Sequence, residues 1–356
     1  MELGYFAMPA HPPHRDLREG FEFDLNVIRW LDEFDFQECW VGEHHGVAWE
    51  PIPAPDILLA QGFRETKRIR LGPGGFILPF HHPIQIADRL ALLDHISGGR
   101  LNFGIATGGL PCDWTMFNMD PAVLRDMARE SVEIILRWWT EKEPWTHEGK
   151  FWKVTKIDKM FDLFWHHLKP KQSPHPPIAM AGTSAKSDTL KTCGEKGYWP
   201  MSLSFNNAYL AGHWDTIRTS AESAGRKPDR KGWRIARQIF VADTDAEAKK
   251  LAIEGGMGYF EVNYNLRLLK QFGILDSLKG DPAMADSDLT PDYMAEHNWI
   301  VGSPKTVARK IEEMHAVTGG FGVLMALGYD YVDNPNAWRH SLELLAHEVY
   351  PRIKAL

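Results

Sequence analysis

Short apolar, β-rich runs alternate along the chain with longer segments whose apolar positions fall three and four residues apart. The runs at residues 2–6, 38–42, 69–77, 101–106, 177–181, 198–203, 235–241 and 321–327 predict eight strands, each followed by helical periodicity. Leu25, Ile28 and Leu31 form the stripe after the first. Ile86, Leu90 and Leu93 form the one after the third, with Pro83 at a first helical position. Asp120-Pro121 reads as an N-cap and N1 pair opening a helix that presents Leu124, Met127, Ile135 and Trp138. Ser303-Pro304 repeats the signal ahead of Val307, Ile311 and Met314, and the last helix aligns Trp338, Leu342, Leu345, Val349 and Ile353. Strand–helix alternation repeated eight times predicts an α/β fold, a closed parallel (β/α)8 TIM barrel, with an open doubly wound sheet as the competitor. Two stretches exceed a minimal barrel: residues 144–176, with a predicted hairpin at FWKV and the aromatic run MFDLFWHHLKP, and residues 252–300. Long excursions of this kind are often lids or substrate loops. One barrel domain over residues 1–356, with these two insertions, is the expected organisation.

Composition narrows the function classes. With 40 Lys and Arg against 47 Asp and Glu, the net charge is −7, which disfavours nucleic acid and anionic lipid as main partners. No apolar run approaches the roughly 18–20 residues of a membrane span. The first residues, MELGYFAMPAH, lack the pattern of a signal peptide. Cys39, Cys112 and Cys193 lie far apart with no CxxC pair, and read as reduced thiols of a cytoplasmic protein.

In a barrel, chemistry gathers at the C-terminal ends of the strands. Four polar or glycine-rich segments fall there: EHHGVAWEP (43–51), LPFHHP (78–83), NFGIATGG (102–109) and AGTSAKS (181–187). Metal is one reading of the histidines. No His-x-His occurs in the chain, and adjacent residues of an extended segment point to opposite sides, so His44 and His45 are poorly placed to chelate one ion. Phosphate is a reading of GTSAKS. If a helix opens at Thr183 or Ser184, its N–H groups and hydroxyls form an anion site to which Lys186 adds charge; ordinary N-capping explains the same residues. Neither a P-loop nor GxGxxG is present, which leaves a dinucleotide fold unsupported. Gly74-Gly75 inside a strand marks either a bulge or a place where something flat comes close.

Taken in order, these segments resemble the bacterial-luciferase-like family of flavin-dependent monooxygenases. The resemblance is strongest over residues 38–111 and weakest over 252–298. It is nearest to the limonene monooxygenase subgroup, through EHH–Trp–Glu, LP–HHP and TGGFG at 318–322. It implies a barrel that binds reduced FMN (FMNH2) at its C-terminal rim, takes it from an NAD(P)H:flavin reductase and uses O2 as co-substrate. A homo-oligomer and no resident metal are also expected. His44 matches the family's catalytic histidine, and Glu43 is a candidate either to fix its tautomer or to be a structural partner of the strand-two end. Gly74-Gly75 falls where the family has a non-prolyl cis peptide under the flavin ring. Thr183 and Ser184 fall in the phosphate-binding segment. Thr107 replaces an arginine that the luciferases use for the phosphate, which shifts that duty toward backbone amides, hydroxyls and Lys186. Asn102 has no assigned role.

The activity so implied passes through a flavin C4a-hydroperoxide, whose oxygen goes to a small apolar substrate by epoxidation, hydroxylation or Baeyer–Villiger insertion. That chemistry calls for a dry mouth, for which Trp49, Phe80 and Trp114 are the candidate walls. Three rivals stay open: an F420-dependent hydride-transfer enzyme on the same fold, a non-catalytic flavin-binding paralogue, and a metal hydrolase.

Overall fold

The computed structural model describes residues 1–184, 186–203, 207–281 and 283–356. Its strands are β1 (Glu2–Ala7), β2 (Glu38–Val41), β3 (Arg70–Pro73), β4 (Phe76–Ile77), β5 (Phe103–Ala106), β6 (Trp145–Glu148), β7 (Lys153–Lys156), β8 (Ile178–Gly182), β9 (Trp199–Leu203), β10 (Arg234–Arg237), β11 (Ile239–Val241), β12 (Ile300–Gly302) and β13 (Val323–Leu327). Its α-helices are α1 (Leu17–Glu33), α2 (Pro55–Glu65), α3 (Pro83–Ile96), α4 (Pro111–Met116), α5 (Leu124–Thr140), α6 (Asp188–Lys196), α7 (Asn207–Ser223), α8 (Asp245–Glu254), α9 (Gly256–Phe260), α10 (Leu266–Gln271), α11 (Pro291–His297), α12 (Pro304–Thr318), α13 (Pro335–Leu344) and α14 (Tyr350–Ile353).

Parallel pairing runs β4–β5–β8–β9–β10–β13–β1–β2–β3. Because β3 and β4 are successive pieces of one strand position, this order closes into a ring of eight parallel positions in chain sequence. The fold is the (β/α)8 barrel that the alternation predicted, and the open sheet is excluded. Two predicted strands are broken. Residues 69–77 split at Gly74-Gly75, whose peptide bond is cis. Residues 235–241 split after Arg237: β10 stays in the barrel, while β11 leaves it to pair with β12, a strand the periodicity did not reveal. The helix expected from Asp120 begins only at Leu124, because Asp120 first closes a turn, accepting from Ala122 N on Oδ1 (2.9 Å) and from Val123 N on its carbonyl (3.2 Å).

Inside the ring, Phe6, Trp40, Ala179, Met201, Ala236, Val323 and Met325 form an inner stack that is fully buried. Its N-terminal end is sealed by charge. Glu38 takes two hydrogen bonds of 3.0 Å from the Arg234 guanidinium and one of 2.9 Å from Trp40 Nε1. Asn102 belongs to this end as well, buried and accepting from Arg70 Nε at 2.8 Å, so its place is structural. Toward the C-terminal end, Met8, Ala181, Leu203 and Leu327 cap the stack and are only partly buried, which leaves an apolar floor in the barrel mouth.

The insertion at 144–176 forms the antiparallel β6–β7 hairpin, as expected. Residues 252–300 fold into α9, a π-helical turn (Glu261–Asn265), α10, short 3-10 turns and α11. Among the described residues no helix is long and apolar enough to cross a membrane.

Candidate active site

Beyond β2 the chain is extended, so successive side chains diverge. His45 turns toward β4 and His44 toward α4. The His45 Nε2–H and the His81 Nε2–H both point to Glu43 Oε1, at 2.9 and 2.7 Å, while Ile77 N donates to Oε2 at 3.1 Å. Burial opposes ionisation of Glu43, yet the two imidazoles and the amide outweigh it and hold the carboxyl below its usual range. Three possible donor atoms thus lie within 4.8 Å of one another, but they are hydrogen-bonded to each other and brace the end of β2 against β4.

His44 meets different acids. Its backbone N–H donates to Ile52 O at 3.0 Å, and its ring Nδ1 lies 2.7 Å from Asp113 Oδ2 in the first turn of α4. Asp113 is fixed in turn by the amides of His45 (2.8 Å) and Gly46 (2.7 Å). On the other side, His44 Nε2 stands 3.2 Å from Glu50 Oε2, in ion-pair range but outside hydrogen-bond geometry, since that oxygen has no hydrogen-bond partner. Tyr264 donates its hydroxyl to the other oxygen, Oε1, at 2.7 Å. Burial works against a charged imidazole at His44. The Asp113 hydrogen bond and the charges of Glu50, Asp113 and Glu43 overcome it, so its pKa lies above the ordinary value. Burial raises the Glu50 carboxyl in spite of His44 and Tyr264. Of the two readings of Glu43, the geometry favours the structural partner of the strand-two end: the backbone alternation turns Glu43 away, and Asp113 holds the Nδ1–H.

Aromatic rings surround this group. Trp49 stacks on Tyr264 (5.6 Å between centroids, 23°) and meets Phe260 edge-on at 5.9 Å. Phe80 stacks flat on Phe117 (4.4 Å, 1°), and both touch the edge of His45. Trp114 is half-buried on α4, next in sequence to Asp113. The predicted wall residues and His44 thus share one side of the mouth. Trp49 also lines a cavity of about 390 Å³ with Arg15, Tyr259, Asp330 and Tyr331.

The glycine pair has a tighter reason than open space. A Cβ on Gly75 would lie 2.5 Å from Gly104 C and Ile105 N, and one on Gly74 would lie 3.1 Å from Phe6 and Trp40. The flat surface that comes close to Gly75 is the β5 backbone. Helix α6 starts at Asp188 with Ser187 as its cap, not at Thr183 or Ser184. Those two residues lie exposed in the loop after β8, with Lys186 beyond them; Ala185 of the same segment lies outside the described residues. The Ser184 carbonyl accepts from His213 Nε2 at 2.9 Å. Thr107 is half-buried after β5 and lines a second cavity of about 240 Å³ with Arg125, Met180, Asp188 and Thr189, where Arg125 pairs with Asp188.

The closed parallel barrel is shared with known proteins. The profile of the luciferase-like monooxygenases matches residues 1–319. The chain belongs to that family. A 2,5-diketocamphane 1,2-monooxygenase of Pseudomonas putida is 34% identical over 99% of both chains. The limonene 1,2-monooxygenase of Rhodococcus erythropolis is 30% identical over 99% of this chain and 86% of its own. Among solved structures, the oxygenating constituent of 3,6-diketocamphane monooxygenase from P. putida, a type II Baeyer–Villiger monooxygenase in complex with FMN, superposes with a TM-score of 0.94 at 33% identity, over 99% of this chain and 98% of that one. Membership makes the chain a monooxygenase. Asp113 and Tyr264 escaped sequence reading, while Glu50 and His81 stood inside the EHHGVAWEP and LPFHHP segments without a role of their own. Glu50 lay in the same short segment as His44, and Asp113 followed a Pro at a helix start. Tyr264 falls where the resemblance is weakest and carried no signal.

Proposed function

We propose that this chain is the oxygenase component of a two-component monooxygenase that uses reduced FMN and O2 to oxygenate a small alicyclic, terpenoid-like substrate. A bicyclic ketone undergoing Baeyer–Villiger insertion is the first candidate, since two of the three relatives above act on diketocamphanes. Alkene epoxidation is the second, since another relative is a limonene 1,2-monooxygenase and limonene is an alkene. The observation that carries the reading is His44, held between two buried acids beside an apolar floor. An NAD(P)H:flavin reductase supplies the FMNH2, residues 1–356 act as one barrel domain, and the chain works as a homo-oligomer.

The residues fit that cofactor. The partly buried floor of Met8, Ala181, Leu203 and Leu327 suits a flat aromatic ring. Thr107 after β5 and Thr183, Ser184 and Lys186 after β8 offer hydroxyls and a positive charge to a phosphate monoester. Gly74-Gly75 keeps the wall between β3 and β5 thin. Reduced FMN, when bound, supplies the electrons that activate O2. The protein's part is positional. His44 carries a proton at the rim and Asp113 keeps its Nδ1–H engaged, leaving Nε2 as the nitrogen that exchanges protons. Trp49, Phe80, Phe117 and Trp114 keep bulk water from the reacting atoms.

Replacing His44 with Ala should lower oxygenation at least about 100-fold, the low end of what a positioned acid–base group contributes, while anaerobic titration shows FMNH2 binding within a few-fold of the parent. Undiminished product formation in that variant would remove His44 from the mechanism.

A further inference from the structure

The 252–300 insertion reaches the acid–base group through one side chain. Tyr264 lies in the π-helical turn Glu261–Asn265, a rare element that concentrates at functional sites. That turn sends three polar groups inward: Glu261 and Asn265, both buried and bonded to each other at 3.0 Å, and Tyr264, whose hydroxyl meets Glu50 Oε1 at 2.7 Å. Glu50 is 6% exposed, and its second oxygen faces His44 Nε2 without an aligned hydrogen bond. Trp49, directly before Glu50, is stacked on Tyr264, so ring contact and hydrogen bond fix the same pair of elements to each other.

We infer that Tyr264 is a positioning residue that sets the charge of Glu50 and, through Glu50, the proton affinity of His44. This rests on the reading of His44 as the proton-carrying group. A buried carboxylate with one hydrogen-bond donor depends heavily on that donor to stay ionised. With the Tyr264 hydroxyl in place, Glu50 presents negative charge to Nε2, and with Asp113 on Nδ1 the imidazole is bracketed by two acids. Without it, Glu50 Oε1 loses its donor in a dry site, the carboxyl takes up a proton, and His44 keeps only Asp113. Among the described residues, Glu43 bears on His44 by charge alone, the neighbouring His45 ring is turned to Glu43, and the Cys112 thiol beside Asp113 on α4 feels Glu50. None of them stands between Tyr264 and Glu50. The consequence is that the insertion does more than cover the mouth: it reports its own docking to the proton carrier, so a rim without the π-helical turn in place holds His44 at lower proton affinity.

The test is an NMR titration of the His44 imidazole in the flavin-free full-length protein, with its resonance assigned by its loss in His44→Ala. Tyr264→Phe keeps the ring that Trp49 stacks on and removes only the hydroxyl. It should lower the His44 midpoint by about one pH unit, a tenfold change in proton affinity. Glu50→Gln should lower it by a similar amount, and the double variant should move it no further than either single one. The same shift should appear in the basic limb of the oxygenation profile, with FMNH2 binding unchanged. An unmoved midpoint in a folded Tyr264→Phe, or shifts that add in the double variant, would overturn the inference. The underlying reading fails separately, if His44→Ala oxygenates as well as the parent.

Discussion

At the scale of single residues, Asp113 is the part of the site whose loss the structure makes most legible. Its two oxygens take the His44 ring and the amides of His45 and Gly46, and those contacts outweigh burial and hold its carboxyl below the usual range. Asp113→Ala would strand two backbone donors beneath the rim, so it should cost about 1–3 kcal/mol in urea unfolding as well as activity; a variant as stable as the parent would mean that the loop does not depend on it. His44 itself could be read from EHH at a strand end. Its partners could not, because nothing in sequence spacing tells that an acid 69 positions later folds back onto it. Glu43, the acid next door, was the natural candidate, and the extended backbone is what disqualifies it.

Between elements, buried charge ties the barrel's loops and its N-terminal end. His11, after β1, bonds Asp330 Oδ2 after β13 at 2.8 Å and Asp24 Oδ2 on α1 at 3.2 Å. Burial opposes its charge, but the hydrogen bonds to Asp24 and Asp330 prevail and raise its pKa from 6.5 to about 9. A raised folded-state pKa means stability that is complete below about pH 6.5 and lost as pH climbs through 9. Asp24, whose own carboxyl is raised by burial, tempers the size. Denaturant midpoints should therefore fall from pH 6.5 to 9, and His11→Asn should flatten that slope; an equal slope in both proteins would count against the link. At the N-terminal end of the barrel, Glu38→Ala leaves the Arg234 guanidinium, 5% exposed, without its acid and should cost about 3–5 kcal/mol. A loss under 1 kcal/mol would show that solvent reaches that end. These elements were visible as strands and stripes; the break at Gly74-Gly75 was marked by its glycines, but the one after Arg237 was not foreseen. Residues 235–241 read as one strand despite the polar pair Arg237-Gln238, and the pairing of β11 with β12 outside the ring divides it there.

For the molecule as a whole, strand–helix alternation was enough to give the closed barrel, since parallel neighbours joined by helices have few other ways to bury both faces of the sheet. The insertions were legible as excess length, and in the first the hairpin as well. Their inward groups, Tyr264 above all, follow from tertiary packing that no local period encodes. The family supplies oxygenation, and the His44 rim above an apolar floor is where this chain is read as performing it. The most direct measurement is product mass after turnover under ¹⁸O2, with FMNH2 supplied by a reductase and a panel of bicyclic terpenoid ketones plus limonene as substrates. The account predicts one ¹⁸O atom per product molecule, and none in the same product when the label is in water. Product labelled from water, or reduced substrate formed without O2 uptake, would contradict it.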